Sequence, residues 1–221
     1  METEPAPGAS PHRTRGERFR IPSSPRLIEA AAALHDGLAD GAETPALRAA
    51  SKAAAEAWVE TLIDGFLLTL AAAARGPGSG RRTATTVRDL AAGLIDSGTR
   101  RLDVDGATRL DGFLAAHLDD ATPPRIALAV TPTLAAALDP ALATPTPPLL
   151  ATALHATVDA MLAGLLDAPL ALLELGFFAR TATKLGRVAV TSRIHGEVDR
   201  AVNDPVAAER LHALLLDYVA P

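Results

Sequence analysis

The chain has no cysteine among its 221 residues. That excludes disulfides, thiolate-ligated zinc, iron–sulfur clusters and cysteine nucleophiles. It suits a reducing compartment, so a cytoplasmic location is the expectation. Aromatics are nearly as scarce: five Phe, one Trp and one Tyr make 3% of the chain. Small-molecule pockets usually carry aromatic lining, so this composition speaks against a tight ligand site. Lysine is also rare, with Lys52 and Lys184 the only two among 21 cationic residues. A net charge of -5 gives no overall attraction for nucleic acid. The opening residues, Met1-Glu2-Thr3-Glu4-Pro5, lack the basic-then-apolar order of a signal peptide. No stretch reads as a standard membrane span. The best, residues 149–166, contains His155 and Asp159, and an Asp at mid-bilayer costs on the order of 3 kcal/mol.

Ala and Leu dominate a 48% apolar composition. Prolines follow Ser, Thr or Asp directly at Ser24-Pro25, Thr44-Pro45, Thr131-Pro132, Asp139-Pro140, Thr144-Pro145, Thr146-Pro147 and Asp204-Pro205. Thr122-Pro123 is of the same kind, as is Ser10-Pro11 near the start of the chain. A side-chain oxygen can accept from the orphan N–H groups of a first helical turn, and proline at the first position loses nothing by lacking its own. The expected fold class is therefore all-α: a multi-helix bundle of seven or eight helices with a disordered N-terminal tail.

Residues 1–23 read as that tail. Pro5, Pro7, Pro11 and Pro22 accompany a basic cluster at Arg13, Arg15, Arg18 and Arg20. So few aliphatics cannot offset ordering, unless Phe19 and Ile21 pin the end of the segment onto the core. Residues 24–221 then form a single all-α domain, with a possible sub-boundary in the Pro-rich connector 121–148. Helices are expected over residues 25–39, 45–75, 86–97, 106–118, 132–138, 148–167, 169–202 and 205–219. In the second, Trp58, Leu62, Phe66 and Leu70 recur at steps of four, opposite the charged row Lys52, Glu56, Glu60 and Asp64. The long seventh helix is expected to bury Leu170, Leu173, Phe177, Leu185, Val188, Val198 and Val202 along one seam.

Reactive motifs are weak. The glycines of residues 76–80 have the wrong spacing for a phosphate loop, the loop lysine is missing, and a helix precedes them where a strand is needed. Asp103-Val104-Asp105-Gly106 resembles part of a calcium loop, but Arg101 and Gly112 fall where carboxylates must stand. A capped turn explains the run better. Ser51, Ser79, Ser97 and Ser192 lack the strand–turn–helix setting of a nucleophile elbow. Ile63-Asp64-Gly65-Phe66-Leu67 and Leu110-Asp111-Gly112-Phe113-Leu114 hint at a repeat offset by 47 residues.

Two constellations remain. His155 and Asp159 are four residues apart, as are His195 and Asp199, so each pair shares one helix face. These four are the candidate acid–base residues; a metal site would need the two pairs to meet in space. His117 is a further candidate for a site enclosing an apolar ligand. Second, Arg180, Lys184 and Arg187 recur at steps of four and three, and Arg193 continues the positive bias. This stripe is the candidate partner- or anion-binding surface. Gly186 and Ser192-Arg193 give only a faint helix-turn-helix pattern without a concentrated basic footprint.

The reading that fits best is a non-enzymatic interaction or assembly protein acting through helix surfaces, as a homo-oligomer or complex subunit. No cofactor and no metal is expected. The partner is expected to be a second copy or an acidic protein. Rivals are a bundle enclosing an apolar small molecule, with a His/Asp site, and a peripheral lipid-surface or granule-coating protein.

Overall fold

Four of the described helices begin on a hydroxyl or carboxylate that caps them. In the computed structural model, Ser24 Oγ accepts from Leu27 N–H at 3.2 Å, Thr131 Oγ1 from Leu134 N–H at 3.2 Å, and Asp204 Oδ1 from Val206 N–H at 2.9 Å. Each of these caps precedes proline at the helix start. Asp103 Oδ1 accepts from Gly106 N–H at 2.8 Å, so the Asp103–Gly106 run is a helix cap. The structure describes residues 18–119, 122–172 and 177–219, without the side chains of 165, 166, 170 and 177–185.

The helices are α1 (Pro25–Ala39), α2 (Thr44–Arg75), α3 (Arg81–Thr99), α4 (Val104–His117), α5 (Pro132–Ala143), α6 (Pro147–Met161, continued through Leu162–Asp167 and Ala168–Leu172), α7 (Phe177–Ala201) and α8 (Pro205–Val219). The expected multi-helix bundle is thus the observed fold, with eight helices among the described residues. Not every proline mark starts a helix. Pro140 lies inside α5, which runs past the expected end at residue 138 to Ala143. Thr44 is already helical, with Glu43 in the capping position. Pro169 belongs to the last part of α6, and α7 begins at Phe177.

α2 is the central element. Trp58 is 1% exposed and meets Phe113 of α4 edge-on, ring centroids 5.1 Å apart. The charged row on its outer side ties down its neighbours. Lys52 Nζ reaches Asp96 of α3 at 2.9 Å, Arg88 of α3 reaches Asp64 at 3.6 Å, and Arg26 of α1 pairs with Glu60. Such exposed pairs are worth about 0–1 kcal/mol each, so they orient more than they stabilise. By length and composition α2 could cross a membrane, with mean hydropathy 1.4 over its best window, yet 56% of that window is buried inside the molecule.

Residues 63–68 of α2 form a π-helical turn. Wider turns of this kind disturb the regular i→i+4 ladder. Here side-chain hydroxyls donate to two of its carbonyls: Thr69 to Asp64 O at 3.1 Å, and Tyr218 of α8 to Gly65 O at 2.7 Å. A Cβ on Gly65 would stand 3.0 Å from the Pro22 carbonyl, so glycine is what allows the N-terminal strand to approach.

That strand departs from the helical expectation. β1 (Arg18–Pro22), β2 (Leu118–Asp119) and β3 (Arg125–Ala129) form an antiparallel sheet in the order β1-β3-β2. Phe19 pairs with Leu128 and Ile21 with Ile126. Phe19, Ile21 and Ile126 are fully buried, and Arg20 Nε crosses to Asp119 Oδ2 at 3.0 Å. Residues 18–22 of the expected tail are therefore a strand pinned by Phe19 and Ile21. Within 121–148 the expectation of one short helix missed β3.

Candidate functional site

α6 and α7 run antiparallel, as three cross-helix contacts show. His155 Nε2 lies 3.0 Å from Asp199 Oδ1, His195 Nε2 lies 3.4 Å from Asp159 Oδ1, and Arg187 pairs with Asp167. As the α6 number rises the α7 number falls. The two His/Asp pairs do meet in space, but with exchanged partners. Each helix carries a His and an Asp at the same four-residue spacing, so antiparallel packing sets each histidine level with the other helix's carboxylate. The two imidazole rings stack between them, centroids 4.0 Å apart and 18° from parallel.

The carboxylates are half-exposed, at 52% for Asp159 and 57% for Asp199, whereas the histidines are largely covered. Both Nε2 atoms are shielded from solvent, and neither carboxylate contact has the alignment of a hydrogen bond. Thr191 Oγ1 and Asp167 Oδ1 are likewise shielded without a hydrogen-bond partner. Half of the eight such atoms among the described residues thus gather along this helix pair. Burial pushes the Asp167 carboxyl above its ordinary value, against the pull of the Arg187 guanidinium.

A broad groove, open to solvent, runs over the pair. Its walls include Asp159, Arg187, Val188, Thr191, Ser192, His195, Gly196 and Asp199. Val188 was expected on the buried seam of the long helix. It is instead 67% exposed, the highest value among the exposed large hydrophobic residues, while Ile194, Val198 and Val202 face the core. Val188 is ten residues from Val198, which is about 1000° of helix, or 80° short of the same direction. Leu170, Leu173, Phe177 and Leu185 of that seam lie outside the described side chains.

The basic stripe is partly visible. Arg180 and Lys184 stand on α7, but their side chains lie outside the described residues. Arg187 is held by Asp167. Arg193 reaches Glu197 at 3.5 Å, and Glu197 also takes Arg75 of α2 at 2.9 Å. The described members of the stripe thus have acidic partners within the molecule.

His117 does not join the quartet. Its Nδ1 is 2.8 Å from Phe113 O, its ring lies against Phe113 at 4.2 Å, and Trp58 meets it edge-on at 6.0 Å. This is a packing position. Two clefts in the helical interior, one beside Leu70 and Val198 and one beside Phe66 and Met161, measure about 20 Å³ each. That holds a water, not a substrate. Among the described residues no group of three His, Asp or Glu is arranged to hold a metal ion.

Sequence reasoning missed Asp167, Val188 and Gly196 as groove residues. The Asp167–Arg187 pair spans 20 residues and has no local signature. The row Val188, Ser192, Gly196 at steps of four was legible, but nothing in it says which side faces solvent. No family model matches the chain, and neither curated proteins nor solved structures contain a significant match.

Proposed function

We propose that this chain is a non-enzymatic helical interaction or assembly protein, working through helix surfaces as a homo-oligomer or complex subunit. The observation that carries this reading is the α6–α7 groove, with Val188 standing 67% exposed beside exposed Ala189 and Ser192. An open groove along two packed helices is the kind of surface in which a partner's helix can lie. The small size of the two interior clefts favours this over the bundle that encloses an apolar molecule. Burial of most of the apolar window of α2 weighs against a lipid-surface role. Light scattering across micromolar concentrations tests the reading; a dimer or larger species is the expected result. A strictly monomeric chain that also captures no acidic protein partner would remove it.

The stacked His155–His195 pair favours one second reading, a His/Asp acid–base site. Two imidazoles with two half-exposed carboxylates can hold and pass protons at the groove wall. This reading expects hydrolysis of an ester or phosphoester probe that is lost in both His155→Gln and His195→Gln, with folding intact. An unchanged background rate in both variants would dispose of it.

A further inference from the structure

We infer that the crossing of α6 and α7 is a pH-sensitive latch: protons taken up by His155 and His195 draw the two helices together, and their loss in mild alkali loosens the wall of the groove. The inference stands on contacts inside this helix pair and needs neither a partner nor a hydrolytic reaction.

The geometry supplies the two states. Histidine is the side chain whose charge ordinarily changes between about pH 5 and pH 8. With both rings neutral, the carboxylates of Asp159 and Asp199 face uncharged imidazoles across the helix gap, and both Nε2 atoms are shielded without a hydrogen-bond partner. Shielded polar atoms left in that state cost stability. A proton on each ring turns the 3.0 Å contact of His155 with Asp199 and the 3.4 Å contact of His195 with Asp159 into ion pairs. The four groups then run Asp199, His155, His195, Asp159, with charges minus, plus, plus, minus. The repulsion between the rings acts across 4.0 Å. Two attractions at shorter separations outweigh it, because Coulomb energy varies inversely with distance. Both attractions pass from one helix to the other, so the protons tie α6 to α7 rather than stiffening either alone. The repulsion leaves its own mark: the second proton enters less readily than the first, and the pair titrates in two steps.

The other charges around this helix pair have their own partners or face solvent. Arg187, in the same groove wall, is held by Asp167. Glu197 takes Arg193 of α7 and Arg75 of α2. The guanidinium end of Arg200 stands 3.7 Å from where a Cβ on Gly196 would lie. On α3, Arg88 and Asp96 pair with α2, and Asp89 is exposed. Asp139 of α5 and Glu209, Arg210 and Asp217 of α8 are exposed as well. His212 of α8 also has a shielded Nε2 without a partner, so the test leaves it unchanged.

Imidazole signals of the full-length chain, followed by NMR across the histidine range, read the latch directly. Asp199→Asn is expected to move the titration of His155 to lower pH by about one unit and that of His195 by less; Asp159→Asn is expected to do the reverse. These carboxylates are half-exposed, so both variants keep the packed rings. A second measurement reads the helices. From about pH 8.5 to about pH 5.5, wild-type stability in denaturant is expected to gain about tenfold or more on that of the double variant His155→Gln/His195→Gln. The remaining titrating groups are common to both chains and cancel in the comparison. If each Asn substitution moves the histidine of its own helix instead, or if wild type and double variant keep parallel pH profiles, the latch does not exist.

Discussion

Among the described residues are two six-residue π-helical turns, and they sit in opposite surroundings. The one at Ile63–Leu68 in α2 is covered by β1, its Gly65 carbonyl taken by Tyr218 and its Phe66 ring 6.1 Å from the same tyrosine. The one at Leu162–Asp167 in α6 ends in a carboxylate whose Oδ1 lacks a partner, beside Arg187 at one end of the open groove. The difference lies in what the rest of the chain brings. Five of the seven aromatic residues, Phe19, Trp58, Phe66, Phe113 and Tyr218, cluster around the α2 side. Around the groove, the described walls carry Val188, Thr191, Ser192 and Gly196 with the polar Asp159, Arg187, His195 and Asp199. Large, shaped side chains close a face, whereas small and charged ones leave it for something else to cover.

This contrast can be broken experimentally. The largest expected effect is on the closed side: Trp58→Ala should cost about 3–5 kcal/mol in chemical denaturation, because a fully covered indole leaves a cavity its neighbours cannot fill. A loss under about 1 kcal/mol would mean the closed side is not where stability resides. Next is Tyr218→Phe, which strips a donor from the half-buried Gly65 carbonyl and should cost about 1–2 kcal/mol. Burial pushes the Tyr218 hydroxyl well above the ordinary tyrosine value. The folded state thus resists ionising it, and this contribution is present below about pH 10 and lost as pH rises beyond it. Wild-type protein should lose stability in strong alkali more steeply than Tyr218→Phe; equal slopes would contradict this.

On the open side the expected effects shrink. Asp167→Asn removes the Arg187 ion pair but also the burial cost of a charge, so the net change should stay within about 1 kcal/mol. Its pH signature is the sharper observable. Because burial holds the Asp167 carboxyl above its ordinary value, its contribution favours the folded state below about pH 4 and is lost as pH rises through the folded value. Asp96 behaves oppositely: the Lys52 ammonium holds its carboxyl low, so its stabilisation is present above about pH 4 and is lost as pH falls. Asp96→Asn should therefore reduce the loss of stability in acid, and Asp167→Asn should increase it. The reverse pattern would mean that the two environments have been misassigned.

Much of the helical frame was legible in the sequence because its signals are local. Ser24, Thr131 and Asp204 cap helices within three residues of themselves, and Gly41 and Gly76 mark breaks where the chain takes positive φ. The sheet was not legible. β3 is Arg-Ile-Ala-Leu-Ala, residues as much at home in a helix, and its extended form depends on β1, more than a hundred residues away. The candidate quartet was half legible. The four-residue spacing picked out His155, Asp159, His195 and Asp199, but the exchange of partners follows from how α6 and α7 lie together, which no spacing within one helix encodes. Val188 was assigned to the wrong side because a seam extrapolated over many turns accumulates angular drift.

The clasp at Gly65 also has a consequence in time. Its donor, Tyr218, lies 153 residues further along the chain. A ribosome making this protein can release α2, α3 and α4 with their contacts available, but the Gly65 carbonyl stays without its tyrosine until a further 153 residues have been added. At typical synthesis rates of about 5–20 residues per second, that interval is on the order of ten seconds. During it the Phe66 ring lacks its tyrosine neighbour, and the arrival of α8 completes that contact.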